Sequence, residues 1–489
     1  MKRLSTMTVG AISPQVTRQP YLRKALKTGI VHLGIGAFHR GHQAVYTDSA
    51  MSQFGGDWMT VGVSLRSENI QRQLAPQDGL FTVLEQDSSH SRARLIGSIA
   101  QVLFLAKDRA KINEALALES VRIISLTITE KGYCRSASTG KLDINHPDII
   151  HDLENVDHPV SAIGLLVQAL NNRYQKKLPP LSILSCDNLP ANGRALKTVI
   201  IEFAQYMDAK LALWIEREIT FPCSMVDRIV PAVTAEITAQ IAKIVGLSDQ
   251  ACIVTEPFSQ WVIEDNFVNG RPRWEKVGAI LTTDVEPYEE IKLRLLNGAH
   301  SSMAYLGYLA GLETVADCME SPLLRKFIET LMRSEIAAIV KPPVGYNVPE
   351  YIDQLLHRFS NQSLKHQCMQ IAMDGSQKIP QRLLSSVSEC LLKEKPIRHL
   401  SMAVAAWMIY VSGVDENGEI IQVQDPLAEE LKLVAAPHRY ESDKLVSALL
   451  DESPVFTAEL IDNTIFRKEL ISSTHLLLNH GVLGALHDV

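Results

Sequence analysis

The chain is short of the features that would tie it to a membrane, a redox motif or a polyanion. Its longest apolar stretch, Met402 to Tyr410, is roughly half of the ~20 residues a spanning helix needs. The N-terminus, Met1 to Gln15, carries two cations and no apolar core of the signal-peptide kind. Seven cysteines are scattered, no two closer than the 22 positions from Cys368 to Cys390, so there is no CxxC pair and no metal-ligand spacing. Such a set suits a reduced, cytoplasmic protein in which Cys acts as a small buried hydrophobe. No basic block is present either. The 48 Lys+Arg against 55 Asp+Glu leave a formal charge of −7, which argues against nucleic acid or an anionic membrane as partner. A local cationic pocket for a small anion stays open.

What is present is ordinary globular composition, 46% hydrophobic and 21% charged, which excludes disordered and collagen-like chains. At ~150 residues per domain, 489 residues predict two or three domains. Short apolar runs at Ile30–Leu33, Trp58–Leu65, Val121–Ile128 and Leu181–Leu184 alternate with helix-compatible stretches such as Asp108–Leu116. Continuous apolar strands mark a parallel sheet covered on both faces. After about residue 285 the spacing turns helical, with Leu324, Ile328, Leu331 and Ile339 behind a Ser321-Pro322 cap. Further helices are expected over 383–392, 399–411, 442–450 and 458–470, and a hairpin-like turn at Asp415–Gly418. The expectation is an α/β domain over residues 1–284 and a mostly helical domain over 285–489.

Two local patterns carry chemistry. The run Ile30-Val-His-Leu-Gly-Ile-Gly-Ala-Phe-His-Arg40 takes an apolar strand into Gly34-x-Gly36 and then a helix start. Gly34 permits a tight turn, Gly36 lets backbone approach a pyrophosphate, and His39 stands where GxGxxG has its third glycine. Ile30, Gly34, Ile35, Gly36, Ala37, Phe38 and Arg40 are the expected dinucleotide contacts. Glu68 and Asn69 follow the next strand, and an acid there favours NAD by accepting from the ribose hydroxyls, although Arg66 could meet a 2′-phosphate.

The second pattern is Pro287-Tyr-Glu-Glu-Ile-Lys-Leu-Arg-Leu-Leu-Asn-Gly-Ala-His300. On an α-helix Glu289, Lys292 and His300 span an arc of about 80°, with Asn297 about 60° beyond His300. A desolvated Lys292 suits a proton acceptor, and Asn297 and His300 suit hydrogen-bond donors to a substrate oxygen. Asn188, in Ser185-Cys-Asp-Asn-Leu-Pro190, follows the fourth strand, where ligands of open sheets sit. Asp227-Arg228 reads as an ion pair or an active-site acid. A substrate carboxylate would need a cation, and Arg358, Lys365, Lys378 and Arg382 are all available.

The chain resembles the polyol-specific long-chain dehydrogenase/reductases, the mannitol dehydrogenase family. The resemblance runs over nearly its whole length. It rests on Gly34-Ile-Gly-Ala-Phe-His-Arg-Gly-His42, Ser125-Leu-Thr-Ile-Thr-Glu-Lys-Gly-Tyr133, Ser185-Cys-Asp-Asn188, Met225-Val-Asp-Arg228, Trp261-Val-Ile-Glu-Asp-Asn-Phe267 and Lys292-Leu-Arg-Leu-Leu-Asn-Gly-Ala-His300. It implies a Rossmann-type N-terminal domain, a helical C-terminal domain and metal-independent, NAD-linked oxidation of a secondary alcohol. It also implies a base at Lys292, oxyanion donors at Asn188 and Asn297, and a substrate-orienting His300. Glu130 falls on a proton route, and Asp227 matches an acidic active-site residue; Glu289, from the polar face of 287–300, is a further candidate substrate contact. The segments 370–384 and 304–311 resemble the fructuronate reductase branch, in which a sugar acid is oxidised; its carboxylate demands a cation, for which Lys378 with a neighbouring cation such as Arg382 or Arg358 is expected. A neutral-polyol 2-dehydrogenase and a non-catalytic NAD sensor are the competing expectations, for a monomer or small homo-oligomer.

Overall fold

The apolar runs are strands because their side chains alternate between two buried faces. Val31 and Leu33 enter one core with Val61, Val63, Ile124, Leu126 and the helix residues Leu165, Leu196 and Phe203. Their neighbours Ile30, Ile123 and Leu184 enter another with Tyr46, Trp58 and Trp261. A computed structural model describes residues 1–18, 20–136 and 139–487, and divides them into two units, Met1–Glu286 and Pro287–Val489. The division falls at the first turn of the helix Glu286–Ile291. Among the described residues no helix is long and apolar enough to cross a membrane.

Among its described residues the first unit holds eleven strands. They are β1 (Thr28–Leu33), β2 (Met59–Ser64), β3 (Phe81–Gln86), β4 (Ser91–Ile96), β5 (Ile99–Phe104) and β6 (Ile123–Leu126), then β7 (Ser182–Ser185), β8 (Ser224–Asp227), β9 (Ile253–Thr255), β10 (Gln260–Glu264) and β11 (Ile280–Thr282). Five form a parallel sheet in the order β5-β2-β1-β6-β7. Counting only those five, the order is 3-2-1-4-5, the doubly wound Rossmann arrangement, with its direction reversing between β1 and β6. Two small sheets, β4-β3-β9 and β11-β10-β8, complete the unit.

The second unit is helical. Its helix Arg398–Val411 is buried on all sides from Leu400 onward, as a helix apolar all round must be. Ser321 stands at the start of the helix Pro322–Thr330 with proline in the first turn, but its hydroxyl makes no cap bond. The 458–470 stretch is two helices, Ala458–Ile461 and Thr464–Ala485, with Asn463 capping the second. The Asp415–Gly418 turn pairs as a single bridge, Val414 to Ile420, with Gly418 at φ 84°.

Among the described residues of this unit three segments are π-helical: Lys292–Asn297, Leu331–Ile336 and Pro380–Leu384. Single π turns are rare and cluster at functional sites.

Candidate active site

In the first unit a cavity of about 400 Å³ opens at the carboxyl ends of β1, β2 and β6, at the switch point of the sheet. Gly34, Ile35, Gly36 and Arg40 line it from β1, Ser64 to Ser67 and Asn69 from β2, and Thr127 to Thr129 from β6. Gly34 has φ 90°, and a Cβ there would lie 2.0 Å from the carbonyl oxygen of Thr127. A Cβ on Gly36 would meet only the Gly34 oxygen, at 3.8 Å. The turn is therefore closed behind Gly34 and open in front of Gly36, which is the space a pyrophosphate needs. These residues fit a dinucleotide.

The histidine in place of the third glycine has a partner. The His39 ring stacks on His32 of β1 with centroids 3.5 Å apart. His32 in turn is within hydrogen-bonding distance of Ser125 Oγ (2.8 Å) and Thr127 Oγ1 (2.9 Å), and Thr127 donates to the Gly34 carbonyl at 2.7 Å. Burial holds His32 near a pKa of about 3, and burial with neighbouring His32, Arg40 and His42 pushes His39 well below the usual 6.5. Two neutral imidazoles thus do the close helix–strand packing that a glycine otherwise allows.

Four expected cofactor contacts, Ile30, Ala37, Phe38 and Glu68, do not line the cavity. Ile30 lies toward the opposite end of β1, in the core with Tyr46, Trp58 and Trp261, because its side chain alternates away from the turn. Phe38 stacks on His42 at 5.1 Å and packs into the same core, while Ala37 packs against the core around Ile35 and Phe81. Arg40 lines the cavity but gives its guanidinium to the carbonyl oxygens of Gly36 (3.2 Å) and Ala251. Glu68 points to Arg72 (2.5 Å) and Lys107, and these two bonds hold its carboxyl below the ordinary range. Asn69, Arg66 and Ser67 line the cavity around it, with Arg66 3.6 Å from Asp148.

At the end of β7, Asp187 is buried and Asn188 next to it is exposed. Glu130 is also exposed and opens the turn Glu130–Tyr133. Asp227 is buried at the end of β8, opposite Gln260. Its neighbour Arg228 is bonded to Glu85 (2.7 Å), Gly41 O and Glu256 O, a structural anchor.

In the second unit Lys292, Asn297 and His300 are all buried. An α-helix would set Lys292 and Asn297 about 140° apart. The π turn between them closes i to i+5, which brings the two toward one face. His300, in the helix Gly298–Leu309, packs against Phe359 (4.8 Å) and edge-on to His366 (5.2 Å). Burial first, then the nearby His366, Arg358, Arg382 and Lys292, drive its pKa well below the usual value, so it is neutral. Arg358 is buried, and Arg382 donates to Ser301 Oγ at 3.2 Å. Lys378 is placed differently: its ammonium donates to the carbonyl oxygens of Met373 (2.5 Å) and Ile371 (3.4 Å) of its own loop. Glu289 lies in the helix Glu286–Ile291, half-buried.

A Rossmann sheet with an open glycine turn in one unit, and a buried lysine, asparagine and histidine in the other, define a dinucleotide-dependent oxidoreductase. The chain belongs to the mannitol dehydrogenase family: residues 28–276 match the mannitol dehydrogenase Rossmann domain and residues 284–477 its C-terminal domain. It is an oxidoreductase of CH–OH groups. D-mannonate oxidoreductase of Escherichia coli (strain K12) is 45% identical over 470 residues, 95% of this chain and 96% of that protein. The ternary complex of Pseudomonas fluorescens mannitol 2-dehydrogenase with NAD and D-mannitol superposes with a TM-score of 0.89 at 36% identity, covering 99% of each chain. A substrate-free D-sorbitol dehydrogenase gives 0.90 at 30% identity, covering 99% of this chain and 100% of that one.

Proposed function

We propose that the protein interconverts D-mannonate and D-fructuronate with NAD(H). One observation carries the sugar-acid choice: three cations, Arg358, Arg382 and Lys292, act electrostatically on the neutral His300. Such a setting favours an anionic substrate over a neutral polyol, because a buried carboxylate is costly unless met by cations. The 45% identity to D-mannonate oxidoreductase supports the same choice. NAD rather than NADP is supported by the NAD complex of the P. fluorescens relative.

When bound at the glycine turn, the dinucleotide supplies the acceptor for the carbon-bound hydride. Lys292 accepts the hydroxyl proton of the alcohol at its Nζ. Asn297, on the same face of the π turn, donates to the oxygen as charge develops, and Asn188 is the second such donor; each contributes about 2–4 kcal/mol, as single oxyanion donors do. His300 orients that oxygen, and Arg358 with Arg382 holds the carboxylate. Glu130 passes the proton outward.

A Lys292→Ala variant tests the base. Single-turnover rates should fall by about 10²–10⁴-fold while NADH titration shows unchanged binding. Near-wild-type turnover removes Lys292 from the role. The neutral-polyol alternative draws on one placement, Lys378 bonded to backbone carbonyls rather than held for a carboxylate.

A further inference from the structure

Thr129 lines the dinucleotide cavity with φ 64° and ψ 163°, a conformation almost reserved for glycine and unfavourable for a β-branched residue. A turn that only needed to change direction would carry glycine there, and Gly132 stands three residues later. The conformation is held from the neighbouring strand. The Asp187 carboxylate, buried at the end of β7, accepts the Thr129 N–H at 2.7 Å and the Ile128 N–H at 3.1 Å. It also accepts the Tyr133 hydroxyl at 2.9 Å, and Tyr133 contacts Ser185 Oγ at 2.5 Å. Asp187 is itself fixed, since Asn192 donates to its carbonyl oxygen at 2.9 Å.

We infer that Asp187 is a positioning residue: it clamps the strained Ile128–Thr129 turn, and through it fixes one wall of the dinucleotide cavity to the strand end that carries Asn188. Two backbone N–H groups on one carboxylate are directional, so the clamp sets orientation as well as distance. The Thr129 carbonyl accepts the Gly132 N–H at 3.0 Å, so the same clamp sets the start of the turn holding Glu130. Asp187 touches neither substrate nor dinucleotide in this account. The inference rests on the dinucleotide reading of the cavity.

The test is NADH binding by fluorescence titration to full-length protein in two backgrounds. Asp187→Asn leaves one carbonyl oxygen for two N–H donors and should weaken binding tenfold or more. In a Thr129→Gly background, where the turn needs no clamp, the same change should cost less than threefold. Tyr133→Phe, which keeps both backbone contacts, should bind within threefold of wild type. Equal losses in both backgrounds, an Asp187→Asn effect within twofold, or a Tyr133→Phe loss matching Asp187→Asn each overturns the inference. Should Asp187→Asn yield no folded protein, the Thr129→Gly/Asp187→Asn pair decides: a folded pair binding NADH within tenfold of wild type supports the clamp, and an unfolded or weaker-binding pair overturns it. Wild-type protein that binds no NADH overturns the dinucleotide reading instead, so the two failures are separable.

Discussion

Arg382 and Lys378 lie four positions apart, and their surroundings separate them. The guanidinium reaches Ser301 one residue from His300, while the ammonium is turned onto the carbonyls of Ile371 and Met373. Arg382→Met should therefore raise KM for mannonate tenfold or more and leave kcat within threefold, as loss of a ground-state ion contact does. Steady-state kinetics with mannonate settle it, and an unchanged KM removes Arg382 from the carboxylate. The sequence offers both cations and no way to choose, because the choice depends on which carbonyls the folded loop presents. His32 and His366 are illegible for a related reason. A histidine in a strand or loop gives no sign of the imidazole it will face until the fold brings His39 or His300 against it.

Among elements, the central strands are legible because burial on both faces leaves an unbroken apolar run, and β1, β2, β6 and β7 lie within about two residues of the runs that announce them. Strands of three residues such as β9 and β11 are too short to show a period. The π turn is invisible for a stronger reason: it inserts into a pattern that reads as continuous α-helix, and its consequence, the alignment of Lys292 with Asn297, appears only in three dimensions. A π turn holds one residue more than the α turn it replaces. Excising Leu293 should convert it to α-helix and leave Lys292 and Asn297 an i, i+4 pair about 40° apart, still on one face. Turnover should stay within about tenfold of wild type, with NADH binding to the first unit retained and far-ultraviolet circular dichroism unchanged. A loss of about 10²-fold or more contradicts alignment of this pair as the purpose of the turn.

Among the described residues, the buried His32, His39 and His300 and the half-buried His366 have depressed pKa values. Burial holds His32 at about 3 and His366 at about 4, and His39 and His300 lie well below the usual 6.5. Below pH 6.5 the unfolded chain takes up protons that these imidazoles refuse in the folded state, so the unfolded state binds more protons and stability falls as pH falls. Each group contributes up to about 1.4 kcal/mol per pH unit between its folded value and 6.5. Urea midpoints should be flat above pH 7 and decline from pH 6.5 toward pH 4. A midpoint that holds steady to pH 5 contradicts the buried neutral state of these rings. Bulk charge points elsewhere: a chain of formal charge −7 is here assigned a small anion as substrate, and a handful of cations in one helical unit outweigh that average.

The most direct measurement is NADH formation by the wild-type protein with D-mannonate, D-mannitol and D-altronate under identical conditions. The cations about His300 predict that kcat/KM is highest for D-mannonate and lower by at least tenfold for D-mannitol. D-mannitol turning over best contradicts the assignment.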